Sequence, residues 1–148
     1  MQTILSSTRR AITDYAMIAD GDSIVVGLSG GKDSVALTAT LAAYRRFAPE
    51  KFTLTAVTID MGVGADYTPM HEFCASLDVP YRLVATDIGD IIFTERKEKN
   101  PCSLCAKMRR GALNTAVNEL GANKLALAHH ADDVVETMLL SLLYEGRF

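Results

Sequence analysis

The chain has 148 residues, 49% of them apolar, and a formal charge of −3. That length supports one domain with a real core. No apolar run nears the roughly 20 residues of a membrane-spanning helix, and the mild acidity confines any nucleic-acid surface to a local patch.

Three cysteines, an odd number, argue against a disulfide framework. The N-terminus, Met1 to Ser7, lacks the basic-then-apolar layout of a signal peptide. Together these predict a reducing cytoplasm. Arg9–Ile18 reads as a weak helix ending in the turn Asp20-Gly21-Asp22. Ile24–Leu28 reads as a buried strand, and Val35 to about Phe47 as a helix stopped by Pro49, with Leu37, Leu41 and Tyr44 at helical spacing.

Between that strand and helix lies Ser29-Gly30-Gly31-Lys32-Asp33-Ser34. Glycines at a strand-to-helix turn let backbone N–H groups close around an anion, and the helix N-terminus adds partial positive charge. Lys32 adds a full one, so the hexapeptide reads as a phosphate cradle. It is neither a Walker A loop, which needs four residues between its glycine and its Gly-Lys pair, nor a G-x-G-x-x-G fingerprint. Asp33 beside a phosphate is repulsive unless a cation intervenes, which suggests Mg²⁺.

Phe52–Ile59 is a second strand rich in β-branched residues, followed by the loop Asp60–Gly64. Met70, Phe73, Cys74 and Leu77 form one helix face, on which Cys74 reads as a buried structural thiol. Tyr81–Ala85 is a third strand. Thr86–Pro101 gives no clear period. Six basic and two acidic residues stand between Thr94 and Arg110, a patch able to meet RNA phosphates or simply solvent.

A helix starting near Cys102 places Cys105, Met108, Ala112, Ala116 and Leu120 on one side and stops at Gly121. Cys102 and Cys105 form a C-x-x-C at its start, where the helix dipole favours thiolates. A redox dithiol, a zinc site, an iron–sulfur site and a chance pair of core residues all remain open. Zinc would need four ligands, and an iron–sulfur cluster three or four cysteines. Lys124–Ala128 is a fourth strand, and Asp132–Leu143 an amphipathic helix opened by His129-His130-Ala131-Asp132-Asp133. Glu136 stands one turn past Asp132. Alternating strands and helices predict an α/β fold: a doubly wound, parallel, Rossmann-like sheet in three α/β/α layers. Its ligand crevice lies at the carboxyl ends of the strands.

The hexapeptide resembles the PP-loop of the adenine nucleotide alpha hydrolases. With Cys102–Gly111 and Leu127–Thr137, the chain is similar to the tRNA 2-thiocytidine synthetases, which are tRNA-cytidine 2-sulfurtransferases. The first and third blocks are shared widely, the third with tRNA-lysidine synthetases. The C-x-x-C followed by Arg-Arg-Gly separates the sulfur-transfer branch. The resemblance implies an N-terminal helical segment over 1–20 and a PP-loop nucleotide-binding domain over 21–148. The family's C-terminal region, with its third cysteine, would lie beyond Phe148.

The resemblance further implies ATP held by Leu28, Ser29, Gly30, Gly31, Lys32, Asp33, Ser34, Ile59, Asp60 and His129. Asp33, Asp132 and Asp133 would bind Mg²⁺, and Cys102 and Cys105 would ligate a [4Fe–4S] cluster in the full-length protein. Lys32, Asp33, Arg109 and Asp132 would carry catalysis. The implied reaction adenylates the C2 oxygen of a cytidine in tRNA and replaces it with sulfur, releasing AMP and pyrophosphate. Implied partners are tRNA and a sulfur donor, either a cysteine desulfurase or sulfide, with no membrane; a homodimer is left open. The alternatives are a tRNA-lysidine synthetase or other PP-loop ligase, a tRNA 2-thiouridine synthetase, and a non-catalytic ATP-binding module.

Overall fold

The computed structural model describes residues 2–95 and 101–146. Four parallel strands, β1 (Ser23–Gly27), β2 (Thr53–Asp60), β3 (Tyr81–Ala85) and β4 (Lys124–Ala126), form one sheet in the order β3-β2-β1-β4. Val25 of β1 is paired in register with Thr55 of β2 and Leu125 of β4. Successive side chains on a strand point to opposite faces, so the two central strands feed two cores. Ile24, Val26, Leu54 and Ala56 enter one, and Val25, Val57 and Ile59 the other. Burial on both faces is what a parallel sheet demands of its strands.

The first core lies under α1 (Gln2–Asp14), α2 (Lys32–Arg45) and α3 (Thr68–Ser76). The second lies under α4 (Ile88–Asp90), the π-helical turn Ile91–Glu95 that continues it, and α5 (Pro101–Glu119). The β1-α2-β2-α3-β3 path runs outward in one direction. The crossover through α4 and α5 then returns past β2 and β1 to place β4 on the far side. The winding therefore reverses between β1 and β4, and ligand crevices form at such a reversal, beyond the carboxyl ends of the strands. A doubly wound parallel sheet is the predicted architecture and the observed one.

Several boundaries differ from the sequence reading. The first helix begins at Gln2 rather than near Arg9, and its Ile12 is buried in the first core. Thr86–Pro101, which has no clear period, folds at its start into α4 and the π turn, with Ile88 and Ile92 both buried one turn apart. Residues 96–100, which carry Arg96, Lys97 and Lys99 of the basic patch, lie outside the described residues. β4 stops at Ala126, and Leu127–His130 continue as irregular chain. Leu120 falls past the end of α5 and is exposed, and Gly121, at φ +62°, turns the chain out of the helix. The last helix is α6 (Ala131–Leu140), followed by a π-helical turn Ser141–Glu145; none of α6 is buried.

Candidate active site

The Ser29–Ser34 loop is fixed from behind before it offers anything to a ligand. Leu28 N–H donates to Val57 O at 2.9 Å, and the buried Thr58 hydroxyl donates to Leu28 O at 2.6 Å. Ser34, buried at the start of α2, donates through Oγ to Gly31 O at 2.9 Å and accepts from Ser29 N–H at 3.2 Å. Gly30 sits at φ +81°, a conformation side chains rarely adopt, and a Cβ there would stand 2.8 Å from Met70 Cε. The loop thus wraps one turn of chain around its own serine, with the exposed residues 30–32 at the opening of α2.

A cavity of about 350 Å³ opens in front of this loop. Gly27, Leu28, Ser29, Gly31, Asp33 and Ser34 form one wall, and Val57 and Ile59 the floor. Ala106, Arg109, Arg110 and Leu113 of α5 form the opposite wall, closed by Leu127, Ala128 and His129. Gly27 permits this closure: a Cβ there would meet Leu127 Cδ2 at 2.8 Å and Leu113 Cδ2 at 3.1 Å. The residues brought together come from four stretches of chain, between Gly27 and His129.

Among the predicted nucleotide contacts, Leu28, Ser29, Gly31, Asp33, Ser34, Ile59 and His129 line the cavity, as does Arg109. Lys32 does not. The Lys32 ammonium pairs with the Asp33 carboxylate, 2.7 Å from Oδ1 and 2.9 Å from Oδ2, on a side chain 87% exposed. Asp60 is turned elsewhere: its Oδ1 accepts from Tyr67 Oη at 3.0 Å and from Gly62 N–H at 2.9 Å. Burial, and then Asp60, raises the pKa of the Tyr67 phenol, so it stays a donor.

Of the predicted Mg²⁺ ligands, only Asp33 faces the cavity. Lys32 first, then His130, hold its carboxyl below the usual range, so it is ionised at neutral pH. A hard oxygen donor on the cavity wall fits a divalent cation. Asp132 and Asp133 sit in the exposed first turn of α6, and Asp133 Oδ2 accepts from His130 N–H at 2.7 Å, half of a capping box. No group of three His, Cys, Asp or Glu side chains converges as a metal site among the described residues.

Cys102 is exposed at the start of α5. Cys105, one turn on and half-buried, packs in the second core with its Sγ 3.4 Å from Met61 Sδ. Cys74 is fully buried in the first core, across the sheet, with its thiol pKa raised by burial. An iron–sulfur cubane takes three or four cysteines. The described residues bring two to one place and do not complete such a set.

A family model described as "PP-loop domain" matches residues 3–147. The chain belongs to the PP-loop domain family. It is similar to the tRNA-cytidine(32) 2-sulfurtransferase of Dechloromonas aromatica, at 44% identity over 95% of this chain and 50% of that one. It therefore spans about half the length of the curated relatives it matches. Among solved structures it resembles the U34-tRNA thiolase NcsA of Methanococcus maripaludis with its [4Fe-4S] cluster, at a TM-score of 0.73 and 29% identity over 87% of this chain and 44% of that one. An NH3-dependent NAD synthetase of Campylobacter jejuni shares the fold, at a TM-score of 0.61 and 18% identity over 99% of this chain and 60% of that one.

The PP-loop and the arginine pair were legible as motifs. Thr58, Met70 and Gly27 were not, because each acts through a contact between distant segments. Arg110 could have been found from its place beside Arg109. His130 could not be told from His129 without knowing which way each ring points.

Proposed function

We propose that this chain is the nucleotide-binding half of an ATP-dependent tRNA sulfurtransferase that converts cytidine to 2-thiocytidine. The observation that carries the reading is the shared cavity: the PP-loop on one wall, and on the other the helix that bears Cys102, Cys105, Arg109 and Arg110. Nucleotide-handling and thiol-bearing elements face each other across a space of nucleotide scale. The 44% identity to tRNA-cytidine(32) 2-sulfurtransferases supports the cytidine assignment. The likeness to a U34-tRNA thiolase supports tRNA as substrate and keeps 2-thiouridine as the second reading.

In this reading the ATP pyrophosphate lies against the 30–32 amides at the N-terminus of α2, where the dipole and free N–H groups favour anions. Lys32 leaves Asp33 and pairs with a phosphate oxygen. Leu28, Val57 and Ile59 give the adenine an apolar floor. Asp33 would hold Mg²⁺, which supplies charge neutralisation on the phosphates. The C2 oxygen of the base attacks the α-phosphorus, and the bond to pyrophosphate breaks. Sulfide, supplied as such or by thiol reduction of the persulfide of a cysteine desulfurase, then adds at C2, and AMP departs with the oxygen. Arg109 and Arg110 offer fixed positive charge where negative charge builds on the phosphates. Cys102 and Cys105 would supply two ligands of a [4Fe–4S] cluster in the full-length protein. A cytoplasmic location follows from tRNA as substrate; no helix among the described residues is long and apolar enough to cross a membrane.

Full-length protein incubated with ATP, Mg²⁺ and unmodified tRNA is expected to release pyrophosphate, and with a sulfur source to yield 2-thiocytidine in the digested RNA. Cys102→Ser with Cys105→Ser is expected to abolish thiolation. Thiolation that survives the double substitution removes the sulfur-transfer reading, and an absence of pyrophosphate release removes the enzymatic one.

A further inference from the structure

His130 is not among the residues lining the cavity, yet its ring reaches across to the PP-loop. Its Nε2 stands 3.2 Å from Asp33 Oδ2. The two residues begin different helices: Asp33 lies in the first turn of α2, and His130 is the N-cap of α6, with extended backbone at φ −99° and ψ 161°. The N–H of His130 is itself tied to Asp133 Oδ2 at 2.7 Å, so the imidazole is presented from an anchored base. Neutral imidazole with its proton on Nε2 donates to the carboxylate.

Asp33 therefore has two donors, and they differ in permanence. Lys32 occupies both carboxylate oxygens, but its long chain is exposed and free to swing. A phosphate in the loop would draw the ammonium away. His130 would stay, because its partner and its anchor do not depend on the nucleotide. With Lys32 withdrawn, Oδ2 remains engaged and Oδ1 is left free. A Mg²⁺ ion demands near-octahedral geometry at short distance and is usually bound through one or two carboxylates, the rest of its shell being water and phosphate. A carboxylate offering a single oxygen meets that demand; one with both oxygens free invites the wider, bidentate coordination that suits larger ions.

We propose that His130 is a positioning residue that holds the Asp33 carboxylate by one oxygen and leaves the other for the magnesium of Mg·ATP. The proposal rests on the nucleotide reading above and assigns a role to a residue that reading does not use.

Two variants of the full-length protein separate the role from simple support of the helix. Asparagine is a strong N-cap, so His130→Asn keeps the start of α6 but is too short to reach Asp33. Glutamine is long enough to return an N–H donor, so His130→Gln is the rescue. Magnesium is titrated by calorimetry against each protein with α,β-methylene-ATP, and analogue binding is also measured in EDTA. His130→Asn is expected to raise the half-saturating Mg²⁺ concentration by about tenfold, the scale of one hydrogen bond to a charged group at a half-exposed site. Its binding in EDTA should be unchanged, and His130→Gln should recover part of the loss. Calcium is expected to replace magnesium better in His130→Asn than in the wild type. An unaltered magnesium requirement in His130→Asn overturns the proposal while leaving the nucleotide reading intact. An equal loss with and without metal also overturns it, by making His130 a prop for the pocket. A wild type that fails to bind the analogue at any magnesium concentration sinks the nucleotide reading and this proposal with it.

Discussion

Asp22 is the one buried charged residue among the described residues, and its donors come from two distant parts of the chain. Ala19 N–H lies 2.6 Å from Oδ2, Lys124 Nζ 2.7 Å from the same oxygen, and Asn123 Nδ2 2.7 Å from Oδ1. The Ala19 amide first, then Lys124 and Asn123, lower its pKa to about 2. The folded value lies below the unfolded one, so the carboxylate stabilises the fold fully above about pH 4, and the contribution fades as pH falls toward 2. Asp22→Asn is expected to unfold at lower urea than wild type at pH 6, with the gap closing by pH 2.5. At Gly30, alanine would have to adopt φ +81°, at a cost of about 1–2 kcal/mol, and push Met70 aside. Gly30→Ala should lower stability by that amount in urea titrations and weaken ATP binding measured alongside. Tyr81 Oη is buried with no partner among the described residues, so Tyr81→Phe should leave the urea midpoint unchanged or slightly raised.

The stretch from Ile88 to Glu95 is the element that periodicity could not find, and it is central to the second core. Ile88 and Ile92 are 3% and 1% exposed, whereas their neighbour Phe93 is 62% exposed. Ile92→Ala is expected to cost about 2–4 kcal/mol by leaving a cavity against the sheet, while Phe93→Ala stays within about 0.5 kcal/mol; chemical denaturation of the pair checks both. The segment was illegible because a single turn followed by a π turn offers two inward side chains, too few to show a period. β1, β2, α2 and α5 were legible for the opposite reason: each repeats its apolar spacing over many residues, and the PP-loop glycines mark a sharp boundary. The sequence starts α1 too late, because Thr3, Ser6 and Ser7 carry no helical signal, and carries it to Ile18, past its end at Asp14; the buried Ile12 anchors it. The position of Lys32 points to the phosphate site, but spacing does not show that its ammonium lies on Asp33, a contact set by local electrostatics.

At the scale of the whole molecule, two features share one side of the sheet. β4 is an edge strand of three residues, and α6 carries Val134, Val135, Met138, Leu139 and Leu140 in the open, followed by Leu143 and Tyr144. These apolar side chains add nothing to the core described here. Leu139→Lys with Leu143→Lys is therefore expected to leave the unfolding midpoint of the 148-residue chain almost unmoved while reducing its binding of an apolar fluorescent dye. The amphipathic pattern of α6 was visible in the sequence, but what it faces could not be read from the pattern. A different consequence follows from the ammonium–carboxylate clasp at the mouth of the PP-loop. The loop carries its own counterion. A bare phosphate arriving there must pull Lys32 away and strand Asp33 beside a second negative charge. A nucleotide arriving with magnesium trades partners on both sides at once. On the nucleotide reading proposed above, the clasp would disfavour simple anions and favour a metal-bound triphosphate, before any contact with the base is made.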